Sequence, residues 1–186
     1  MLSSAAGPLR VSLSLIVLFI TLALPRPGSA QTIEPTPPEW VVDEAEGKHT
    51  VIFDVGDPVC AYRIIAEPGF MADRLAHVKG FTIHSSKAGF MDVSFTEVFV
   101  RLAKGTSRYH RWFDGSRRVR WELQEGRQKV HDGTWKVTTT PGGGSVTFTN
   151  TIQAKSSFHQ PLFRWVQRAT MKDIVKATRK HCGQGI

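Results

Sequence analysis

The chain has 186 residues, 24 of them Lys or Arg against 16 Asp or Glu, for a formal net charge of +8, and 41% are hydrophobic. That balance excludes a repeat or low-complexity protein and leaves an ordinary globular chain of one domain's length, long enough to bury a core. Beyond residue 30 nothing is apolar enough to span a membrane.

Residues 1–30 read as a secretory leader. Arg10 supplies a positive start, residues 11–24 an apolar core, and Gly28-Ser29-Ala30 the small residues that precede a cleavage site. The apolar run falls short of the roughly 20 residues a membrane span needs. Cleavage after Ala30 is the expectation, with a retained anchor as the alternative. Gln31, not cysteine, follows the cut, which argues against a bacterial lipid anchor, and the single arginine before the core favours general secretion. The expected location is secreted or periplasmic. Residues 31–46 form a Pro-rich lead-in, poorly ordered at its start.

The first strand spans 46–54, centred on Val51, Ile52 and Phe53. Asp57-Pro58 is a helix start, a capping side chain followed by a proline whose missing N–H costs nothing there. A short helix over 59–66 is broken at Glu67-Pro68-Gly69, and a second runs over 70–76. Strands follow at 77–85, 89–102, 106–113 and 117–123. In the second of these Val93 and Phe95 share one face, whereas Val98, Val100 and Leu102 share the other. That change of phase at Glu97 predicts a bulge or a polar residue aimed into the interior. In the last, Val119, Trp121 and Leu123 alternate with Arg118, Arg120 and Glu122.

The final third is the most strongly patterned. Trp135 and Val137 alternate with polar residues, Pro141-Gly142-Gly143-Gly144 provides a tight reversal, and Val146, Phe148, Ile152 and Ala154 keep one face apolar with Asn150 the interruption. An antiparallel hairpin follows from this. After Ser156-Ser157 comes a long helix with Pro161 in its first turn and Gly183 at its stop. Phe163, Val166, Thr170, Ile174 and Ala177 fall on one face, and Arg164, Arg168, Lys172, Lys176 and Lys180 on the other. About seven antiparallel strands with helix only at the two ends define an α+β chain.

Gly133-x-Trp135 on a strand, the glycine turn, an aromatic strand and a Pro-led amphipathic helix together resemble the START-like (SRPBCC) superfamily, of the coenzyme-Q-binding and polyketide cyclase/dehydrase type. The resemblance covers residues 47–182, leaving 183–186 as a tail. It implies a helix-grip fold, in which a curved sheet wraps a long C-terminal helix and two short helices follow the first strand. It also implies an elongated apolar cavity between sheet and helix. Phe99, Tyr109, Trp121, Trp135 and Phe148 are candidates to line that cavity, the alternative being that such rings simply fill a core. Phe163, Val166 and Thr170 would face it from the helix, with Glu97 and Asn150 as polar groups to orient a ligand. In such a fold the short helices clasp the far end of the long one, which would bring Cys60 to Cys182. The alternative is two unpaired thiols.

Enzyme signatures are missing: there is no H-E-x-x-H, C-x-x-C, G-x-S-x-G or phosphate loop, and none of the seven histidines has ligand spacing. No catalytic residue, cofactor or metal is therefore assigned. The first expectation is an exported monomer that binds or carries a lipid, isoprenoid or quinone. A polyketide cyclase using the same cavity is the second. The third is a membrane-surface protein using the basic helix face, Arg164, Trp165, Arg168, Lys172 and Lys176, or the cluster Arg108, Arg111, Arg117, Arg118 and Arg120. Export argues against nucleic acid as the partner.

Overall fold

A computed structural model describes residues 36–99 and 103–184. The leader, and Val100 and Leu102 of the phase-change reading, lie outside the described residues. One sheet carries the fold. Its eight strands are β1 (Glu39–Asp43), β2 (Lys48–Val55), β3 (Val78–Lys87), β4 (Phe90–Phe99), β5 (Ala103–Asp114), β6 (Arg118–Glu125), β7 (Gln128–Thr140) and β8 (Gly143–Ala154). They stand in the order β1-β2-β8-β7-β6-β5-β4-β3, each pair antiparallel. Two short helices, α1 (Pro58–Ala66) and α2 (Pro68–Arg74), carry the chain from β2 to the opposite edge, and α3 (Gln160–Cys182) ends it. The architecture is α+β and helix-grip, with one strand more than the sequence indicates. That strand, β1, falls inside the Pro-rich lead-in; only five residues long and mostly exposed at the sheet edge, it carries little hydrophobic pattern.

The local chemistry explains the boundaries. Asp57 caps α1, its Oδ1 accepting from the N–H groups of Val59 at 2.8 Å and Cys60 at 3.0 Å. Thr140 pairs with Gly143, so Pro141-Gly142 is the whole turn between β7 and β8, with Gly142 at φ 86° where an L side chain would be strained. Along β8, Gly144, Val146, Phe148, Asn150 and Ile152 point inward in strict alternation. Glu97 keeps the inward phase of Val93 and Phe95, and β4 pairs with β5 without a shift from Phe90 to Phe99. The phase change is thus resolved as a polar side chain aimed inward; the shifts of register lie between β3 and β4, β5 and β6, and β7 and β8 instead.

The buried stripe of α3 is Gln167, Met171, Ile174, Val175, Thr178 and Cys182. It is rotated from the predicted face, which leaves Phe163, Val166, Thr170 and Ala177 half-buried at its flank. The reason is Gln167, a polar side chain that takes a central inward position because its Nε2 donates to the carbonyls of Asn150 at 2.7 Å and Gly47 at 3.2 Å. At its far end α3 is tied to α1 by the Cys60–Cys182 disulfide, with Cα atoms 5.5 Å apart. The Asp57 N–H donates to the Cys182 carbonyl at 2.7 Å and the Gly56 N–H to that of Gly183 at 3.1 Å. None of the described helices is long and apolar enough to cross a membrane.

Candidate functional site

The concave face of the sheet, the α1–α2 pair and α3 enclose a cavity. Measured as the space open to water centres, its volume is about 70 Å³. Its apolar wall comes from Ile65 of α1, Met71 of α2, Phe95, Trp121, Phe148 and Ile152 of the sheet, and Val166 and Ile174 of α3. Trp121 can lie inward because its strand partner is Gly133: a Cβ there would overlap the Trp121 ring and sit 2.5 Å from the Thr149 carbonyl.

Six polar side chains, Glu97, Tyr109, Arg111, His131, Asn150 and His77, also reach this wall, together with Thr170. The Tyr109 hydroxyl is 2.8 Å from His131 Nδ1 and 3.4 Å from Glu97 Oε2. Burial pushes the Glu97 carboxyl up to about 8, so it is protonated at neutral pH. Burial also lowers His131 and His77, each to about 4, so both rings are uncharged. One phenolic proton serves one neighbour at a time. With Glu97 and His131 both neutral, Glu97 can donate to Tyr109 and Tyr109 to His131, which satisfies all three. Tyr109 itself is raised well above the ordinary phenol range by burial and by the carboxyl beside it.

Arg111 is different in kind. Only 2% exposed, it is lowered by burial to about 10 and so remains a cation. Its guanidinium lies 5.6 Å from the Phe95 ring centre and 5.5 Å from that of Phe113. Nη2 donates to the Ile65 carbonyl at the end of α1, whereas Nη1 is buried with no hydrogen-bond partner among the described residues. Asn150 Oδ1 is likewise without one.

Of the side chains expected at the cavity, Tyr109, Trp121, Phe148, Glu97, Asn150, Val166 and Thr170 face it. Trp135 does not. It is fully buried nearer α1, donating its ring N–H to the Ala61 carbonyl at 3.1 Å and packing on Phe53 and Phe148 at 5.9 and 5.3 Å. Phe163, in the first turn of α3, is half-buried and does not line the cavity, and the Phe99 side chain lies outside the described residues. Arg111, His131 and His77 were not singled out from sequence as cavity residues, although strand parity carried the first two. Arg111 is two residues from Tyr109, and His131 is four from Trp135, so each shares its neighbour's face.

The expected basic surfaces separate. On α3, Arg164 and Arg168 hold Glu44 at 3.1 and 2.7 Å, while Lys172, Lys176 and Lys180 are exposed. Trp165 is 57% exposed beside Leu162 at 56% and Phe158 at 85%. The strand cluster does not act as one patch. Arg111 points inward, Arg108 pairs with Asp92, Arg120 pairs with Glu122 and lies over Trp112, Arg117 donates to Thr139, and Arg118 is exposed. Among the described residues no group of three or more His, Cys, Asp or Glu is placed to hold a metal ion.

The helix, sheet and cavity together define the START-like fold. No family model matches the chain, nor does any curated protein sequence; the likeness is structural. A START superfamily protein from Mycobacterium smegmatis superposes with a TM-score of 0.64 at 12% identity, over 73% of this chain and 96% of its own. The Zhui aromatase/cyclase from Streptomyces sp. R1128 gives 0.57 at 14% identity, over 77% and 96%. A STAR-related lipid transfer protein from Xanthomonas axonopodis gives 0.57 at 16% identity, over 80% and 100%. At these identities the shared property is the fold.

Proposed function

We propose that the chain is an exported carrier that binds a small hydrophobic molecule, of lipid, isoprenoid or quinone type, between its sheet and α3. The observation that carries this reading is the cavity itself: an apolar chamber in the interior, with polar groups at a few points of its wall. At about 70 Å³ the chamber is smaller than the roughly 300–1,000 Å³ of ordinary small-molecule pockets, so loading calls for α2 or α3 to move outward. The lipid transfer protein of the same fold supports the choice by analogy. Export is supported by the leader pattern of residues 1–30 and by the Cys60–Cys182 bridge, a bond that persists in oxidising compartments. The exposed Phe158, Leu162 and Trp165, with Lys172 and Lys176 further along α3, suit contact with an anionic membrane during loading.

A second reading, acid–base chemistry on a polyketide-like substrate, is favoured by the hydrogen-bonded Tyr109 and His131 beside a protonated Glu97 inside the chamber. Native mass spectrometry of the protein taken from its own secretory compartment, followed by lipid extraction, separates these. A discrete bound lipid or quinone supports the carrier. An empty protein with no affinity for a lipid panel removes that reading and turns attention to Tyr109.

A further inference from the structure

Resting on the carrier reading, we infer that the ligand is an amphiphilic organic acid, its apolar body in the chamber and its anionic head on the Nη1 end of Arg111. An uncompensated charge inside a protein is costly, and a buried cation ordinarily keeps a counter-ion. Among the described residues Arg111 has none. The groups that act on it electrostatically are the Tyr62 and Tyr109 phenols, both held in their neutral forms by burial. Glu97, the one carboxyl on the cavity wall among the described residues, is engaged with Tyr109 and protonated.

The residue is also held in place. The Ile65 carbonyl fixes Nη2, and the Phe95 and Phe113 rings flank the guanidinium, so the fork is oriented with two N–H donors of Nη1 left over. A planar fork with spare donors in an apolar wall matches a carboxylate or similar oxyanion better than it matches a ketone or an ester.

The test compares decanoic acid with methyl decanoate, the same chain with and without the charge, by calorimetric titration of the full mature protein at neutral pH. The acid should bind about tenfold or more tightly than the ester, since hydrogen bonds to charged groups are among the stronger ones. Arg111→Gln should abolish that preference, acid and ester then binding the variant equally. Equal binding of acid and ester by the wild type overturns the anchor but leaves the carrier intact. Binding of neither overturns both. Acetate or inorganic phosphate binding as tightly as decanoate would also overturn the amphiphile, because the site would then be an anion site without a chain channel. Should Arg111→Gln fail to fold, the wild-type comparison decides alone, and Arg111→Lys, which retains charge but not the fork, should show a reduced preference for the acid.

Discussion

The two ends of α3 are held in opposite ways. At the C-terminal end a disulfide, two backbone hydrogen bonds to the start of α1 and the buried Val175, Thr178 and Cys182 close the helix onto a filled apolar core. At the N-terminal end no side chain caps the helix and Leu162 and Trp165 are exposed; the ties there are polar, Gln160 to Ile152 and Ala154, Arg164 and Arg168 to Glu44, and Gln167 to the carbonyls of Gly47 and Asn150. From α3 the chamber is lined by Val166, Thr170 and Ile174, in the middle of the helix. One helix therefore carries two kinds of tie: its closed end is covalent and apolar, and its other end, held by polar side chains, leads to the space where a guest would sit. Regions that must open are drawn from the less stable parts of a fold.

Breaking the closed end should cost most. Replacing both Cys60 and Cys182 by Ser removes a crosslink between residues 122 apart, worth up to about 4–5 kcal/mol in the chain-entropy model. Denaturant unfolding should show that loss, and hydrogen exchange should rise in α1 and the last turns of α3 while ligand affinity is kept. Trp135→Ala, which empties the core beneath α1, should cost about 3–5 kcal/mol in the same assay.

The chamber end should announce itself through pH. Glu97 has a folded pKa near 8 against 4.5 for the free side chain. Between those values the unfolded chain gives up a proton that the folded chain keeps, so stability falls as pH rises toward 8. His131 and His77 act in the other direction. Their folded values near 4, against 6.5, mean that the unfolded chain gains protons first as pH drops, so stability falls below about 6.5. Melting scans should therefore peak near pH 6.5, and Glu97→Gln should flatten the alkaline side and steepen the rise between about 4.5 and 6.5, because the Glu97 proton difference spans both ranges.

The smallest stability effect belongs to the exposed ridge. Leu162→Ser with Trp165→Ser should change stability by less than about 0.5 kcal/mol, yet reduce co-sedimentation with anionic vesicles. Unchanged vesicle binding would remove the membrane role given to this end.

The closed end was the more legible of the two in sequence. Its signals are local: an Asp-Pro cap, a Pro-Gly turn, a period-two strand and a terminal glycine, each acting within a few residues. The chamber end was read less well because its content depends on pairing across the sheet. Glu97 was found through its break in phase, and Asn150 as the interruption on an apolar face. Arg111 was grouped with surface arginines by composition although its parity with Tyr109 placed it inside, and the Ile65 carbonyl that holds it there comes from α1, 46 residues away in sequence. Gln167 misled the helix reading for the same reason. Its two backbone acceptors come from the turn before β2 and from β8, far away in sequence.

The most direct measurement is a titration of an environment-sensitive apolar fluorophore into the wild type and into Thr170→Phe, a variant that fills the chamber from α3 and leaves the disulfide end untouched. Saturable binding to the wild type at one molecule per chain, weakened at least about tenfold in a Thr170→Phe protein of similar Tm, is the expected result, since filling a pocket removes the contacts that hold the guest. Equal affinity in both proteins would place the binding outside the chamber and contradict its role as the ligand site.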